Sequence, residues 1–259
     1  MRIVSVHPDV LVATSRVWQT SCTIVRSGDE AFVIDSPVYP DELEVLPAVL
    51  EQAQFPLSGL LVTHGDWDHL LARLAFPGAA VGCAETTAAR LTAEPGAAAR
   101  ELRAFDAEHY VRRDRPLALG DVQALPVPGR LGVGAQELEL HPADGHTADG
   151  MAVWAPWAGV LVAGDYLSPV EIPMLSEGGS RSAYLATLTR LEPLVEQAAT
   201  VVPGHGEVLD GTRALAILRE DRAYLEALPD ARLPLARRNA VQEKVHARNV
   251  AHVGEGHGL

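Results

Sequence analysis

Apolar residues in the first third of the chain fall into short runs bounded by Gly, Pro and Asp. This pattern predicts strands over 3–6, 10–14, 23–26 and 31–35. The Ser27–Gly28–Asp29 step between the last two runs reads as a hairpin turn. Over 41–52 the apolar positions 43, 46, 49 and 50 repeat at a helical period, and acidic residues crowd the first turn, where the helix dipole favours them. Pro47 is expected to bend that helix. A strand over 59–63, a short helix over 70–75, a strand over 79–83 and an Ala-rich helix over 84–105 follow. Strand character returns at 122–127, 135–141, 151–155 and 159–163. Helices over 181–198 and 211–228 flank a strand over 200–203, and a last helix over 241–253 leads into a tail that contains His257. Strands and helices alternate, which calls for layered α/β packing, and the order strands–helix–strand–helix occurs once in each half.

Composition narrows the class. The 259 residues carry 34 Asp and Glu against 21 Lys and Arg, a formal net charge of −13, and 47% of positions are hydrophobic. This is a globular composition, and the acidic excess disfavours a polyanionic partner, so no nucleic acid is expected. No stretch reads as a targeting leader or a membrane span, which points to the cytoplasm. Cys22 and Cys83 sit in apolar segments and read as reduced, buried thiols. The segment 112–115 (RRDR) reads as a solvated loop. The loops over 127–134 and 168–180, rich in Gly and Pro, are where substrate specificity is expected to reside.

The chemistry concentrates in Thr63-His64-Gly65-Asp66-Trp67-Asp68-His69, directly after an apolar strand. Four metal-capable side chains lie within six residues at a strand end, where α/β scaffolds collect functional groups. Imidazole mixed with carboxylate suits zinc, iron or manganese better than magnesium or calcium. Three further strand ends add His146 in DGHT, Asp165 in GDY and His205 in PGHG, each with Gly beside it to let the backbone turn.

This set, together with Asp35 closing FVID, resembles the metallo-β-lactamase superfamily over about residues 10–210. The resemblance implies a four-layer αββα sandwich in a single domain over 1–259, with the helices of 211–259 appended to the motif-bearing region. It also implies two divalent metal ions at one edge of the sandwich. His64, Asp66 and His146 correspond to the ligands of one metal, Asp68, His69 and His205 to those of the second, and Asp165 to a bridge between them. The implied activity is that of a hydrolase using a metal-bound hydroxide on an ester, thioester, lactone or similar bond of a small molecule. In that scheme Asp68 helps hold the second metal and carries a proton to the leaving group. Tyr166 either hydrogen-bonds the substrate oxyanion or packs beside the site. Trp67 either lines the pocket mouth or packs half-buried.

The family usually places His where this chain has Asp66. A carboxylate there adds negative charge to the first site, which favours iron or manganese over the zinc that the family implies. It also resembles the flavodiiron proteins, so the alternative is a di-iron redox or oxygen-handling protein. Those proteins carry a flavodoxin domain, for which there is no room after residue 210. Of the other histidines, His7, His109 and His141 match no motif, and His252 is a remote candidate for the metal edge. Asp144 and Asp149, flanking His146, read as turn residues. Neither the substrate nor the oligomeric state is written in the sequence.

Overall fold

The computed structural model describes residues 1–254. Its first half forms a seven-stranded sheet. The strands β1 (Arg2–His7), β2 (Val10–Thr14), β3 (Ser21–Ser27) and β4 (Glu30–Asp35) make an antiparallel meander. Helix α1 (Pro40–Ala53) then crosses to β5 (Leu57–Leu61), which runs parallel to β4. A 3-10 turn (Trp67–His69) and α2 (Ala72–Ala75) lead to β6 (Val81–Ala84). Helices α3 (Glu85–Ala93) and α4 (Ala97–Glu108) lead to β7 (Val122–Leu125), both strands again parallel to their neighbours.

The second half repeats the scheme in a five-stranded sheet. An antiparallel meander of β8 (Gly129–Val133), β9 (Gln136–Pro142), β10 (Met151–Ala155) and β11 (Val160–Gly164) is followed by α5 (Arg181–Gln197) and the parallel strand β12 (Thr200–Pro203). Helices α6 (Gly211–Ala227) and α7 (Ala240–Gly254) close the described chain.

The alternation of side chains along each strand explains the four layers. In β3, Cys22 and Ile24 face the helices of the first half, packing in one cluster with Leu43, Leu46 and Leu50 of α1, while Val25 faces the opposite sheet. In β11, Leu161 and Ala163 pack with Leu188 and Leu191 of α5, while Val160 and Val162 join Val25, Leu61 and Leu140 between the sheets. The central strands are therefore covered on both faces, which is why β10 and β11 are apolar throughout, whereas the outer strands β8 and β9 keep exposed positions and alternate apolar with polar.

Three expectations need correction. The helix expected over 84–105 is two helices, because Pro95 and Gly96 intervene and Gly96 takes φ +76° at the start of α4. The stretch 127–134 is not a specificity loop. Leu131 and Val133, two residues apart, turn into the inter-sheet core and make most of it the strand β8. Arg113 is not solvated: it pairs with Asp106 at 2.9 Å and donates to the Val38 carbonyl at 2.9 Å. Cys22 and Cys83 are buried free thiols, and burial pushes the Cys83 thiol up to about 11. Among the described residues no helix is long and apolar enough to cross a membrane. The His257 tail lies outside the described residues.

Candidate metal centre

Strand polarity decides where the polar residues gather. β4 and β5 are parallel, so Asp35 and the segment from Thr63 leave the first sheet at one edge. β9 is antiparallel to β10, which is antiparallel to β11, and β11 is parallel to β12. The segments carrying His146, Asp165 and His205 therefore also leave their sheet at a common edge. The two edges are joined directly: the Ser21 amide donates to the Gly204 carbonyl at 2.7 Å, and Thr20 and His205 form an isolated bridge. Gly204 is required where its strand end passes Asp165, since a Cβ there would lie 2.1 Å from Asp165 Oδ1.

Seven side chains meet at this junction in three groups: His64, Asp66 and His146; Asp68, His69 and His205; and His64 and His69 with Asp165. Asp165 divides its two oxygens between the sides. Oδ2 lies 3.7 Å from His64 Nε2 and 3.3 Å from His146 Nε2. Oδ1 lies 3.2 Å from His69 Nε2 and 3.4 Å from His205 Nε2. Asp66 Oδ2 stands 3.6 Å and 3.4 Å from the same nitrogens of His64 and His146. Asp68 Oδ2 stands 3.7 Å and 3.5 Å from those of His69 and His205.

A metal is an apt occupant. Bonds of about 2.1 Å in a tetrahedral shell place donors about 3.4 Å apart, and the separations here cluster around that value. The Nε2 atoms of His64, His69 and His146 and the Oδ1 of Asp165 are buried without a hydrogen-bond partner, a costly arrangement unless something else satisfies them.

The opposite ring nitrogens are all engaged. His69 Nδ1 meets Asp35 Oδ2 at 3.0 Å, and His146 Nδ1 meets the Met174 carbonyl at 2.9 Å. His205 Nδ1 meets the Trp18 carbonyl at 3.3 Å, and His64 Nδ1 meets Thr63 Oγ1 at 3.1 Å. A carbonyl can only accept, so at His146 and His205 the proton belongs on Nδ1 and the lone pair on Nε2 faces the centre. Asp35 also accepts from the Thr63 amide and hydroxyl, both at 2.8 Å, and takes φ +60°, a left-handed conformation that Asp tolerates better than most residues.

The field at the centre is strongly negative. Burial opposes the charge on His146 and His205, yet the carboxylates around them raise their pKa values to about 9 and about 10. Protons would thus be held where cations fit. Burial likewise opposes ionisation of Asp66, but hydrogen bonds and charge from His146 and His64 carry it well below the ordinary carboxylate range.

Tyr166 is the residue whose expected role changes. It is buried, its hydroxyl donates to the Asp144 carbonyl at 2.7 Å, and it accepts from the His146 amide at 3.1 Å. The hydroxyl is thus committed to the loop that carries His146 and is not free to serve a substrate oxyanion. Trp67 is half-buried, meeting Trp18 edge to face at 5.7 Å between ring centres and Phe105 in a tilted contact at 4.9 Å. His252 reaches the Gly179 carbonyl at 3.2 Å instead of the metal edge.

Asp149 is more than a turn residue. Its Oδ2 accepts from the Gly65 amide at 2.9 Å and its Oδ1 from Arg90 Nη1 at 2.9 Å, while Arg90 Nη2 donates to Asp66 Oδ1 at 2.8 Å. Arg90 was not legible by spacing, because it lies on another element. The signal was the surplus carboxylate at Asp66, which calls for a cation nearby. Glu171 was also missed: burial pushes its carboxyl up, and it lines a small cleft together with His146 and Asp165. A cavity of about 480 Å³ opens beside Gly65 and Arg90, with Leu91, Glu101, Leu117 and Asp121 among its walls.

The chain belongs to the metallo-beta-lactamase superfamily, whose family model matches residues 15–205. It is 31% identical over 189 residues, 73% of its length, to a hydroxyacylglutathione hydrolase from Rhodobacter capsulatus, and it spans 60% of that relative's length. Among solved structures it resembles the DIM-1 metallo-beta-lactamase, with TM-score 0.63 and 20% identity over 87% of this chain and 96% of that one. It also resembles a metallo-beta-lactamase family protein from Thermus thermophilus, with TM-score 0.66 and 21% identity over 86% of this chain and 83% of that one. Both likenesses concern the fold.

Proposed function

We propose that the protein is a metal-dependent hydrolase acting on an ester, thioester or lactone bond of a small molecule, with a thioester as the first candidate. The observation that carries this reading is the divided carboxylate of Asp165, one oxygen toward His64 and His146 and the other toward His69 and His205. On this reading His64, Asp66 and His146 hold one divalent ion, Asp68, His69 and His205 hold a second, and Asp165 serves both. Bound there, the ions would supply an acidic water at neutral pH and an electrophilic contact for the substrate carbonyl.

The chain's own residues do the rest. The Nδ1 partners keep the imidazoles oriented and in the ligating tautomer. Burial of His64, His69, His146 and His205 limits bulk water at the centre, which strengthens every electrostatic contact made there. Asp68 carries a proton to the leaving group, and Glu171 stands by as a second proton-holding carboxyl. The cavity beside Gly65 receives the body of the substrate. The thioester preference rests on the hydroxyacylglutathione hydrolase relative, whose named substrate class is a thioester.

The test is a panel of thioesters, lactones and phosphodiesters offered to the metal-loaded protein and to His146→Ala, with oxygen uptake followed in parallel. The expected result is thioester turnover that His146→Ala abolishes. Iron-dependent oxygen uptake with no turnover of any panel member would overturn the reading in favour of redox chemistry.

A further inference from the structure

Asp66 is the one carboxylate in a triad otherwise made of imidazoles, and it differs from them in two ways. It brings an extra negative charge, and it can offer two oxygens to a metal where imidazole offers one nitrogen. Arg90, projecting from α3, addresses both differences. Its Nη2 donates to Asp66 Oδ1 at 2.8 Å, leaving Oδ2 as the oxygen that faces His64 and His146. Its Nη1 is fixed at the same time on Asp149 Oδ1 at 2.9 Å, and Asp149 Oδ2 holds the Gly65 amide next door to Asp66. The guanidinium fork is thus tied both to the metal-facing segment and to the loop after His146, and its planar geometry lets it span two carboxylates at once.

We infer that Arg90 is a positioning residue that holds Asp66 to one metal-facing oxygen and draws off part of its charge, and so sets which metal the first triad prefers. The inference rests on the reading of His64, Asp66 and His146 as a metal triad. It reverses the expectation that Asp66 alone biases the site toward hard ions: with Oδ1 occupied and part of the charge offset, the triad keeps a preference for zinc over manganese. Without Arg90, Asp66 is free to present both oxygens and an uncompensated charge, features that suit manganese.

The test is competitive titration of zinc and manganese into metal-free protein in a His69→Ala background, where of the three groups only His64, Asp66 and His146 keeps all its members. Arg90→Met is expected to narrow the zinc-to-manganese affinity ratio by about tenfold or more, the usual scale for losing a residue that orients a ligand. The decisive arm is Asp66→His. With imidazole in place Arg90 keeps only Asp149 as a partner and has no Asp66 oxygen to occupy, so adding Arg90→Met to Asp66→His is expected to move the ratio far less than it does with Asp66 present. A merely structural Arg90 would shift the ratio equally on either background, or on neither, and each of those results overturns the inference. Should Arg90→Met fold poorly, Arg90→Gln removes the same charge, and the same comparison applies. Asp66→Ala separates the two levels. If it leaves metal binding intact, the triad reading itself fails. If it abolishes binding while Arg90→Met leaves the ratio unmoved, only the role of Arg90 fails.

Discussion

Each imidazole at the centre is useful because its far nitrogen is held. Asp35 does this for His69 while also satisfying the Thr63 amide and hydroxyl. Replacing Asp35 by Ala leaves these buried donors unpaired. Chelator competition is expected to show about 10- to 100-fold weaker metal binding at the triad of Asp68, His69 and His205. Tyr166→Phe checks the revised role of that residue. Loss of a hydroxyl that braces the His146 loop is expected to lower stability by about 1–3 kcal/mol in denaturant unfolding while kcat stays within a few fold. A drop of about 10²–10³ in kcat would instead mark an oxyanion donor. The cluster was legible in the sequence because each of its segments follows an apolar run, with Gly beside His64, His146, Asp165 and His205. The direction of the Tyr166 hydroxyl was not, since it depends on where the Asp144 carbonyl and His146 amide come to rest.

Among the elements, α1 and α7 each fasten a segment that leads to the site: α1 the stretch running on to Trp18, whose carbonyl meets His205, and α7 the stretch around Met174. Glu42, in the first turn of α1, is buried and accepts from the Ser15 hydroxyl at 2.6 Å, the Arg16 amide at 2.9 Å and the Tyr39 amide at 3.2 Å. Burial opposes its charge, but these donors hold its pKa below the ordinary value. A carboxylate depressed in the folded state contributes stability above its unfolded pKa of about 4.3, and that contribution is lost as pH falls through the lower folded value. Unfolding curves should therefore show Glu42→Gln less stable than the parent at neutral pH, with the gap closing in acid.

Asn249 of α7 accepts from the Leu175 amide at 2.9 Å and donates to the Pro173 carbonyl at 2.7 Å, fixing the segment whose Met174 carbonyl orients His146. Asn249→Ala is expected to cost about 1–3 kcal/mol of stability in denaturant unfolding, since it unpairs buried backbone groups. Helix α7 was visible as an apolar period, but its attachment was not. The contacts run from side chains to backbone some 70 positions away, and sequence spacing carries no trace of them. The break at Pro95–Gly96 and the strand β8 were present in the sequence as local signals. They were overridden by the Ala-rich run around the first and by the glycines around the second.

For the whole molecule, alternation and the order of elements repeated in each half called for layered α/β packing, and the αββα arrangement came from the family resemblance. The charge of −13 looked like a uniform surface property. Asp66, Asp68 and Asp165, with Asp35 and Asp149 behind them, show that part of it is gathered at one edge as a seat for cations. The family match ends at residue 205, yet Arg237, Gln242 and Asn249 beyond it fasten the segment 168–175 beside that seat. The most direct measurement is the initial rate of thioester hydrolysis as zinc is titrated into metal-free protein, with bound metal counted at each step. The account predicts activity that is absent without metal and rises as two ions bind per chain. A rate that ignores the metal, or a protein that binds none, would contradict it.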